Sequence, residues 1–383
     1  MRLAFAVSLW FPFGGMQRSL LRIARACAAR GHSVDIYTGE WQGERPGGIG
    51  VFELDTRASS NHRSNDLLAR RFARATAGKG YDCRVGFTKI PGLDLYYAAD
   101  PCYAARVDET RPMLYKLSPR YRAFKRQEAA VFRPGAGTGV MLIAHGEKEK
   151  FIRYYGTEPE RFHLLPPGIN RDRLAGGDRG EADGATLREE LGIAGDGLML
   201  LAVGSRFRTK GIDRLIRALA TLPPGLKEKC RLVVVGHGKA QPLRRLAGRL
   251  GVAEQVIFTG AREDVPRFYR AADALVHAPR SENTGTVLIE AMICGLPVLA
   301  TGNCGFAFHV REARAGTITP EPFDQGQLNK ALAEFLTSPQ RNAWAENGPA
   351  YCARTDLYGL IERAADIIIA RAEANRRRHA EGA

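Results

Sequence analysis

The feature that most constrains the fold is an alternation of short apolar segments with amphipathic segments of helical period, which occurs in two successive series. The first series begins at Leu3–Val7 and the second at Leu198–Val203. The helical segment after Leu3–Val7 has its apolar residues at i, i+3, i+4 and i+7, namely Leu20, Ile23, Ala24 and Cys27. Two prolines and a glycine interrupt the pattern at Leu165–Asn170. The alternation therefore predicts two parallel sheets, each covered by helices.

A chain of 383 residues is longer than one ordinary hydrophobic core requires, and two domains of average size account for it. We expect an α/β fold in which residues 1–167 and 168–355 form two doubly wound, Rossmann-like domains that face each other across a cleft. In such sheets, ligands bind at the carboxyl ends of the strands. We also expect an exposed loop over residues 176–184, a late helix and a frayed tail at Arg376–His379. The late helix is indicated by the spacing of Ile361, Ala364, Ala365 and Ile368.

The composition excludes several classes of protein. Hydrophobic residues make up 45% and charged residues 25% of the chain, which is typical of a soluble globular protein. The sequence contains no run of about 18 apolar residues, so no transmembrane helix is expected. Met1–Val7 is interpreted as a core strand, because no small-residue cleavage site follows it. The seven cysteines are scattered and include no C-x-x-C, so we expect reduced thiols in the cytoplasm, without a disulfide framework or structural zinc.

The formal net charge of +15 favours an anionic partner, although solvated surface charge would also account for it. Residues 103–133 hold eight basic residues against three acidic ones, interleaved with tyrosine, phenylalanine, leucine and methionine. This mixture suits an anionic membrane surface or a phosphorylated glycolipid, and it also suits RNA. The alternative is a basic surface helix whose aromatic residues belong to the core.

Two carboxylates, Glu282 and Glu290, are eight residues apart and flank the start of an apolar helical segment. A helix that begins near Gly285 or Thr286 leaves Glu282 in the preceding loop and places Glu290 about one turn into the helix. The free N–H groups and positive dipole end of such a helix bind phosphate. The binding candidates between the two carboxylates are Asn283, Thr284, Gly285, Thr286 and Val287.

The segment Gly204–Gly211 follows the first strand of the second series and carries Arg206, Arg208 and Lys210. Three cations at a strand-to-helix turn suit a diphosphate leaving group, whose charge needs stabilising. The alternative is a cationic, solvated loop. The spacing of glycine and lysine differs from that of a Walker loop.

Further candidates lie after other strands. Gly14 and Gly15 allow backbone N–H groups to approach a diphosphate or a sugar at the start of the first helix, or they form a plain turn. Gly236 and Arg262 lie in loops whose backbone could hold a base. Asp100 precedes a proline and is either a helix N-cap or a carboxylate of the cleft. No Asp-x-Asp and no histidine pair with metal spacing occurs, which disfavours a metal-bridged diphosphate.

These residues resemble the signatures of a known family. The spacing from Glu282 to Glu290 resembles the E-x7-E motif of retaining GT-B glycosyltransferases of family 4, and Gly204–Gly211 resembles their phosphate loop. The segments Phe11–Arg18 and Phe87–Asp94 are similar, more narrowly, to the lipopolysaccharide core glucosyltransferases. The resemblance implies a GT-B fold, with residues 356–383 packing back on the first domain. That first domain is then the acceptor domain, and the second binds the nucleotide-sugar.

The resemblance also implies roles for the candidate residues. Glu282 is expected to contact the transferred sugar and Glu290 the ribose hydroxyls. Lys210 and Arg208, or Arg206, are expected to hold the diphosphate. Arg173 and the Gly14–Gly15 turn are expected to assist, with Asp100 near the reacting carbon. The chain departs from its relatives at Leu9, Ser19 and Thr209, where they carry Lys, Asp and Arg.

The resemblance thus implies retaining, metal-independent transfer of a hexose, glucose by default, from a UDP-sugar to an inner-core heptose of lipopolysaccharide. The enzyme is expected to need no cofactor and to be a monomer that binds no nucleic acid. It is expected to lie on the cytoplasmic face of the inner membrane, docked through residues 103–133. One rival hypothesis is a basic RNA- or lipid-binding protein on an α/β scaffold. The other is a GT-B-type sugar-nucleotide epimerase.

Overall fold

The computed structural model describes residues 1–12, 14–169, 181–193 and 195–381. The chain divides into two compact units. The first unit consists of Met1–Gly168 together with Gly359–Ala383, and the second of Ile169–Tyr358. Each unit is built around one sheet of parallel strands.

The first unit contains a seven-stranded sheet whose strands all run parallel. Its strands are β1 Arg2–Val7, β2 Ser33–Thr38, β3 Gly50–Glu53, β4 Cys83–Gly86, β5 Leu95–Ala98, β6 Gly139–Leu142 and β7 Phe162–Leu164. Their order across the sheet is β3-β2-β1-β4-β5-β6-β7. β1, β5 and β6 are buried almost throughout, because helices cover both faces of the sheet.

Five helices in the first part of the chain cover this sheet. They are α1 Gly15–Ala29, α2 Asn61–Thr76, α3 Tyr103–Thr110, α4 Pro119–Phe132 and α5 Glu147–Tyr155, with 3₁₀ turns at Met113–Leu117 and Pro159–Arg161. Ser118 caps α4, since its side chain accepts a hydrogen bond from the N–H of Tyr121, and Pro119 occupies the first helical position.

The second unit repeats this plan with a six-stranded parallel sheet. Its strands are β8 Leu198–Val203, β9 Cys230–Val235, β10 Val256–Gly260, β11 Ala274–His277, β12 Val298–Thr301 and β13 Gly316–Thr319, in the order β10-β9-β8-β11-β12-β13. Its helices are α6 Glu181–Glu190, α7 Ile212–Ala220, α8 Pro224–Lys229, α9 Gln241–Arg249, α10 Val265–Ala271, α11 Thr286–Ile293, α12 Ala307–Ala313, α13 Gln325–Thr337 and α14 Arg341–Arg354. One core cluster lies on each face of the sheet.

The last helix, α15 Leu360–Glu381, belongs to the first unit. Its buried stripe, which includes Ile361, Ala364, Ala365 and Ile368, packs in the same core cluster as α1. Polar contacts add to this packing, because the side-chain amide of Asn375 donates to the carbonyl of Asp82 and to the carboxylate of Asp94, both at 2.9 Å.

The predicted α/β fold of two doubly wound domains with a returning last helix is confirmed. Two local expectations are wrong. The tail at Arg376–His379 is helical, because Asn375 anchors α15 and Arg376 forms an ion pair with Asp82 at 3.6 Å. The loop expected over residues 176–184 overlaps α6, which starts at Glu181. Over the described ranges, the helices include none that is both long and apolar enough to cross a membrane.

Candidate functional site

In each sheet the strand order reverses next to the strand that begins the series, between β1 and β4 in the first unit and between β8 and β11 in the second. Ligands of doubly wound sheets bind at such switch points, outside the carboxyl ends of the strands. The loops that carry Gly14 and Lys210 follow β1 and β8, and the loop that carries Glu282 follows β11. The candidates from the sequence therefore lie at the edge of each sheet where binding is expected.

Lys210 and Glu282 form an ion pair at the switch point of the second sheet. The aliphatic stem of Lys210 lies against Gly204, where an added Cβ would be 2.9 Å from Cε of the lysine. The carboxylate of Glu282 is mostly buried, with 13% of its side chain exposed. Lys210 lies in the loop after β8. Its side chain therefore reaches across the edge of the sheet to the loop after β11.

His277, the last residue of β11, is the second partner of Glu282. Its Nε2 lies 3.3 Å from Oε2 of the carboxylate, and the imidazole is buried. Burial lowers the pKa of His277, so the ring is neutral at pH 7 and its Nε2–H donates to Glu282. Burial by itself raises the pKa of Glu282, but the hydrogen bond from His277 and the charge of Lys210 outweigh it and lower this pKa to about 2.

Helix α11 begins between the two carboxylates, as predicted. Gly285 precedes its first residue with φ of 84°, a left-handed conformation that residues with a Cβ rarely adopt. The N–H of Leu288 donates to the carbonyl of Gly285 at 3.0 Å. The N–H groups of Thr286 and Val287 precede any acceptor within the helix and suit an anion. Glu290 lies one turn into α11 and is buried, and its Oε2 accepts a hydrogen bond of 2.7 Å from the hydroxyl of Tyr269.

Within this motif, the loop before α11 is held in place by the backbone. The N–H of Phe306 donates to the carbonyl of Thr284 at 2.7 Å, and Glu282 forms an isolated β-bridge with Cys304. Thr286 is exposed and Val287 half-buried. The start of α11 is therefore both accessible and fixed relative to the carboxylate that precedes it.

Arg206 and Arg208 line an open cavity of about 880 Å³ beside α7 and α9. Arg206 has φ of 59°, and its N–H donates to the carbonyl of His237 at 2.9 Å. Arg280 donates to the carbonyl of Arg208 at 2.9 Å. Of the three cations expected on the diphosphate, Lys210 is the one that contacts a carboxylate of the E-x7-E motif.

The two loops proposed to hold a base also lie at the carboxyl end of the second sheet. Gly236 follows β9 and packs so closely on Gly204 that an added Cβ would be 2.3 Å from the carbonyl oxygen of Gly204. The guanidinium of Arg262 is held by Asp264 through two hydrogen bonds of 2.8 and 2.7 Å. The side chain of Arg262 is thus already paired within its own loop.

In the first unit, Gly14 precedes α1 and Gly15 is its first residue. An added Cβ on Gly14 would be 2.0 Å from Oε1 of Gln17, whose amide donates to the carbonyl of Leu9 at 3.2 Å. The side chain of Ser19 donates to the carbonyl of Gly15, also at 3.2 Å. The glycine turn is therefore compact. Two of the departures from the family pattern lie beside it, since Leu9 binds Gln17 and Ser19 binds Gly15.

Asp100 is exposed and lies two residues after the end of β5. The N-cap alternative is wrong, because α3 begins at Tyr103 and Cys102 is its N-cap residue. Instead, Glu128 binds the start of α3, accepting hydrogen bonds from the N–H groups of Tyr103 and Ala104 at 2.8 and 3.1 Å.

Lys89 completes this arrangement. Its ammonium group contacts Glu128 and donates to the carbonyl of Pro101 at 3.0 Å. Glu147 accepts from the N–H of Cys102 at 2.6 Å. Two buried carboxylates and a lysine thus fix the backbone that carries Asp100.

Sequence reasoning missed His277 and Tyr269, the partners of the two motif glutamates. The histidine had one usable signal, since it ends a predicted strand five residues before Glu282. Arg173 lies outside the described residues. Among the residues that the structure describes, no cluster of three or more His, Cys, Asp and Glu side chains could hold a metal ion.

Comparison with known proteins identifies related sequences along nearly the whole chain. The model of the family described as "Glycosyl transferases group 1" matches residues 183–351, and that of "Glycosyltransferase Family 4" matches residues 13–173. The lipopolysaccharide glucosyltransferase WaaG of Escherichia coli K12 is 43% identical over 369 residues, covering 96% of this chain and 98% of WaaG. A D-inositol 3-phosphate glycosyltransferase of Xylanimonas cellulosilytica is 27% identical, over 96% of this chain and 93% of its own.

Solved structures agree with these matches. The crystal structure of WaaG, described as a glycosyltransferase involved in lipopolysaccharide biosynthesis, superposes with a TM-score of 0.85 and covers 96% of this chain and 99% of its own. Anabaena HepE, crystallised with UDP and glucose, shares the fold with a TM-score of 0.70 at 20% identity, over 97% of this chain and all of HepE. The resemblance inferred from the motifs, including the narrower one to a lipopolysaccharide core glucosyltransferase, is confirmed.

Proposed function

Because the chain belongs to the group 1 glycosyltransferases of family 4, we propose that it transfers a hexose from a UDP-sugar to an inner-core heptose of lipopolysaccharide. Glucose is the proposed sugar, since the relative that is 43% identical over 96% of the chain is a lipopolysaccharide glucosyltransferase. We further propose that the anomeric configuration is retained and that no metal ion or other cofactor takes part. The second unit binds the donor and the first unit binds the acceptor.

The observation that carries this proposal is the arrangement around the start of α11. A helix N-terminus for phosphate lies between two carboxylates, one paired with Lys210 and the other with Tyr269. Glu290 accepts hydrogen bonds from the ribose hydroxyls, and Glu282 orients the transferred sugar. Lys210, with Arg208 or Arg206, stabilises the charge on the departing diphosphate. The other residues proposed to contact the UDP-sugar are Gly14, Gly15, Arg173, Gly236, Arg262, Asn283, Thr284, Gly285, Thr286 and Val287.

In the proposed reaction, the acceptor hydroxyl oxygen forms a bond to the anomeric carbon on the face from which UDP departs. The bond from that carbon to the β-phosphate oxygen breaks, and its electron pair leaves with UDP. The hydroxyl proton passes to the departing phosphate oxygen. Positioning and cationic stabilisation supply the main catalytic effect, with Asp100 beside the reacting carbon.

The test is a screen of UDP-sugars in the presence of EDTA, with release of UDP and of sugar measured for the purified protein. We expect slow hydrolysis of UDP-glucose without acceptor and faster UDP release with a heptose-terminated acceptor. Loss of activity on chelation would contradict the metal-free proposal. If the protein binds an oligonucleotide but not UDP, the RNA-binding hypothesis is favoured. If the amount of free sugar released is the same with and without acceptor, an epimerase is favoured.

We also propose that the enzyme, as a monomer, docks on an anionic membrane surface, the cytoplasmic face of the inner membrane, through residues 103–133. Support comes from the turn Met113–Leu117, where Met113, Leu114 and Leu117 are 81%, 78% and 64% exposed. Exposed apolar side chains next to basic residues suit an interface of lipid headgroups and acyl chains. The aromatic residues of this segment differ in burial. Tyr121 is buried in the core, whereas Tyr115 is half-buried.

Vesicle sedimentation tests this docking. A variant with Arg120, Arg122, Lys125 and Arg126 replaced by serine should bind anionic vesicles more weakly and retain its affinity for UDP. The control replaces four exposed or half-exposed cations elsewhere, Arg70, Arg74, Lys227 and Arg245. Equal vesicle binding by the two variants would rule out the proposed surface.

A further inference from the structure

The cavity beside α7 and α9, here called the basic cavity, is a second concentration of positive charge in the second unit. It has a volume of about 880 Å³, within the usual range of ligand pockets. Six cations line it: Arg206, Arg208, Arg217, Lys239, Arg249 and Arg280. Neither the E-x7-E motif nor the Lys210–Glu282 pair contributes to its walls.

The charge of the basic cavity is not compensated by its own carboxylates. Its one acidic lining residue, Asp213, is engaged by Arg280 through two hydrogen bonds of 2.7 Å. For the other five cations, no acidic side chain of the described chain lies within ion-pair distance. All five are exposed. Like charges that converge without a counter-charge repel one another, and an anionic ligand would remove that repulsion.

The walls of the cavity add two features that suit a phosphate ester. Buried side chains of Phe207, Leu243 and Leu246 form an apolar floor. Pro242, in the first turn of α9, also lines the cavity, so the positive end of that nine-residue helix lies at the cavity wall.

Backbone strain points to the same place. Arg206 adopts φ of 59°, a conformation that costs free energy for a residue with a Cβ and that concentrates at functional sites. The hydrogen bond from its N–H to the carbonyl of His237 joins the two loops that border the cavity. The strained residue is therefore one of those that line the basic cavity.

The basic cavity lies apart from the proposed ribose contact. The residues of α7 and α9 pack in the core cluster on one face of the second sheet, whereas α11 packs in the cluster on the other face. Glu290 is therefore separated from Arg217 and Arg249 by the sheet. A ligand in the basic cavity would meet the donor site only at the loop that carries Arg206, Arg208 and Lys210.

We propose that the basic cavity is a second anion site, which binds the phosphate groups of a phosphate ester with an apolar part. Arg217, Lys239 and Arg249 bind the phosphate, and the apolar part lies on Phe207 and Leu243. This site goes beyond the proposed transfer reaction, and its ligand need not be the sugar donor.

Isothermal titration of inorganic pyrophosphate into protein saturated with UDP tests the site. The double variant Arg217→Ala, Arg249→Ala should bind pyrophosphate about tenfold more weakly or worse, since each removed guanidinium takes away charge-assisted hydrogen bonds. The control Lys227→Ala, Arg245→Ala, which removes two cations outside the cavity, should bind like the wild type. Both variants should keep the affinity for UDP and the melting temperature of the wild type, because all four side chains project at least partly into solvent.

A Lys210→Ala variant separates this proposal from the proposed function. Its pyrophosphate binding should persist even where its transfer activity is lost. Absence of pyrophosphate binding in the wild type, or equal affinity in the two double variants, would overturn the second site. To distinguish a lipid headgroup from a soluble ester, lysophosphatidic acid below its micelle concentration is compared with glycerol 3-phosphate. Tighter binding of the lipid assigns the apolar floor to an acyl chain, and equal affinity assigns the site to a soluble ester.

Discussion

Each unit contains a lysine–glutamate pair at low exposure, and the two pairs differ in how completely the carboxylate is satisfied. In the first unit, Glu128 is 0% exposed and both of its oxygens are occupied. The ammonium group of Lys89 and the N–H of Tyr103 contact Oε1, whereas the N–H of Ala104 and the hydroxyl of Tyr155 donate to Oε2. This carboxylate has no position left for a ligand.

In the second unit, Glu282 is bound on one side only. Lys210 and His277 both contact Oε2, and no donor from the described residues reaches Oε1. Burying a charge costs free energy that its partners must offset. Because 13% of the Glu282 side chain is exposed, Oε1 is open to solvent and to a ligand. The comparison teaches that a buried ion pair is structural when its donors are complete and is a candidate site when they are not.

The largest expected effect is on stability, through Glu128→Ala. This change leaves Lys89 buried without its partner and two N–H groups at the start of α3 without acceptors. Loss of one partner of a buried pair typically costs about 3–5 kcal/mol in the free energy of unfolding. Urea denaturation measures it, with Glu149→Ala on α5, an exposed glutamate, as control. A loss below about 1 kcal/mol would show that Glu128 is not structural.

Lys210→Ala should lower stability, since it removes one of the two partners of Glu282, but its main effect should be on catalysis. Loss of a single charge-stabilising donor reduces kcat by about 10²–10³-fold. Transfer rates should therefore fall by that factor, while Lys229→Ala, which removes an exposed ion pair with Asp196, should leave them unchanged. A rate within about threefold of the wild type would remove Lys210 from the candidate site.

The third prediction concerns the ionisation of Glu282. Its pKa is lowered from 4.5 to about 2, so its ionised form stabilises the folded state above pH 4.5, and this contribution is lost as the pH falls through about 2. In Lys210→Ala the pKa of Glu282 should rise, since one of the two favourable partners is gone. A ¹³C NMR titration of the carboxyl carbon measures this, and an unchanged midpoint would show that Lys210 does not act on Glu282.

The smallest expected effect comes from Tyr269→Phe, which removes one hydrogen bond to Glu290 and keeps the carboxylate. The affinity for UDP should fall by about fivefold, equivalent to about 1 kcal/mol. Tyr351→Phe removes the hydroxyl that bonds to Glu312 and His309 in the same unit, and it should leave UDP affinity unchanged. Glu290→Ala should weaken UDP binding more than Tyr269→Phe, and the opposite order would contradict the ribose contact.

Much of this arrangement could be predicted from the sequence. The ends of parallel strands meet at one edge of a sheet, so Lys210 and Glu282, which follow two strands of one series, were expected at a common site. The start of α11 could be placed from Gly285 and the apolar residues after it. The late helix followed from the spacing of Ile361, Ala364 and Ile368.

The rest depended on three-dimensional pairing that no local pattern encodes. The hydrogen bond from Tyr269 to Glu290 joins two helices whose side chains meet only through the packing of α10 on α11. The backbone conformation of Arg206, with its positive φ, could not be predicted from the sequence of the loop. The helical tail depends on Asn375, whose amide binds two aspartates that are more than 280 residues away in the chain.

The central claim is that the half-satisfied pair in the second unit is a catalytic donor site that works without metal. The most direct measurement is ¹H NMR of UDP-glucose turnover in EDTA, by the wild type, Lys210→Ala and Lys229→Ala, the last of which removes only an exposed ion pair with Asp196. The account predicts that the wild type and Lys229→Ala release UDP at comparable rates, with α-configured sugar formed first, and that Lys210→Ala is at least about a hundredfold slower. Turnover by Lys210→Ala at the rate of the wild type, or none by the wild type in EDTA, would contradict it.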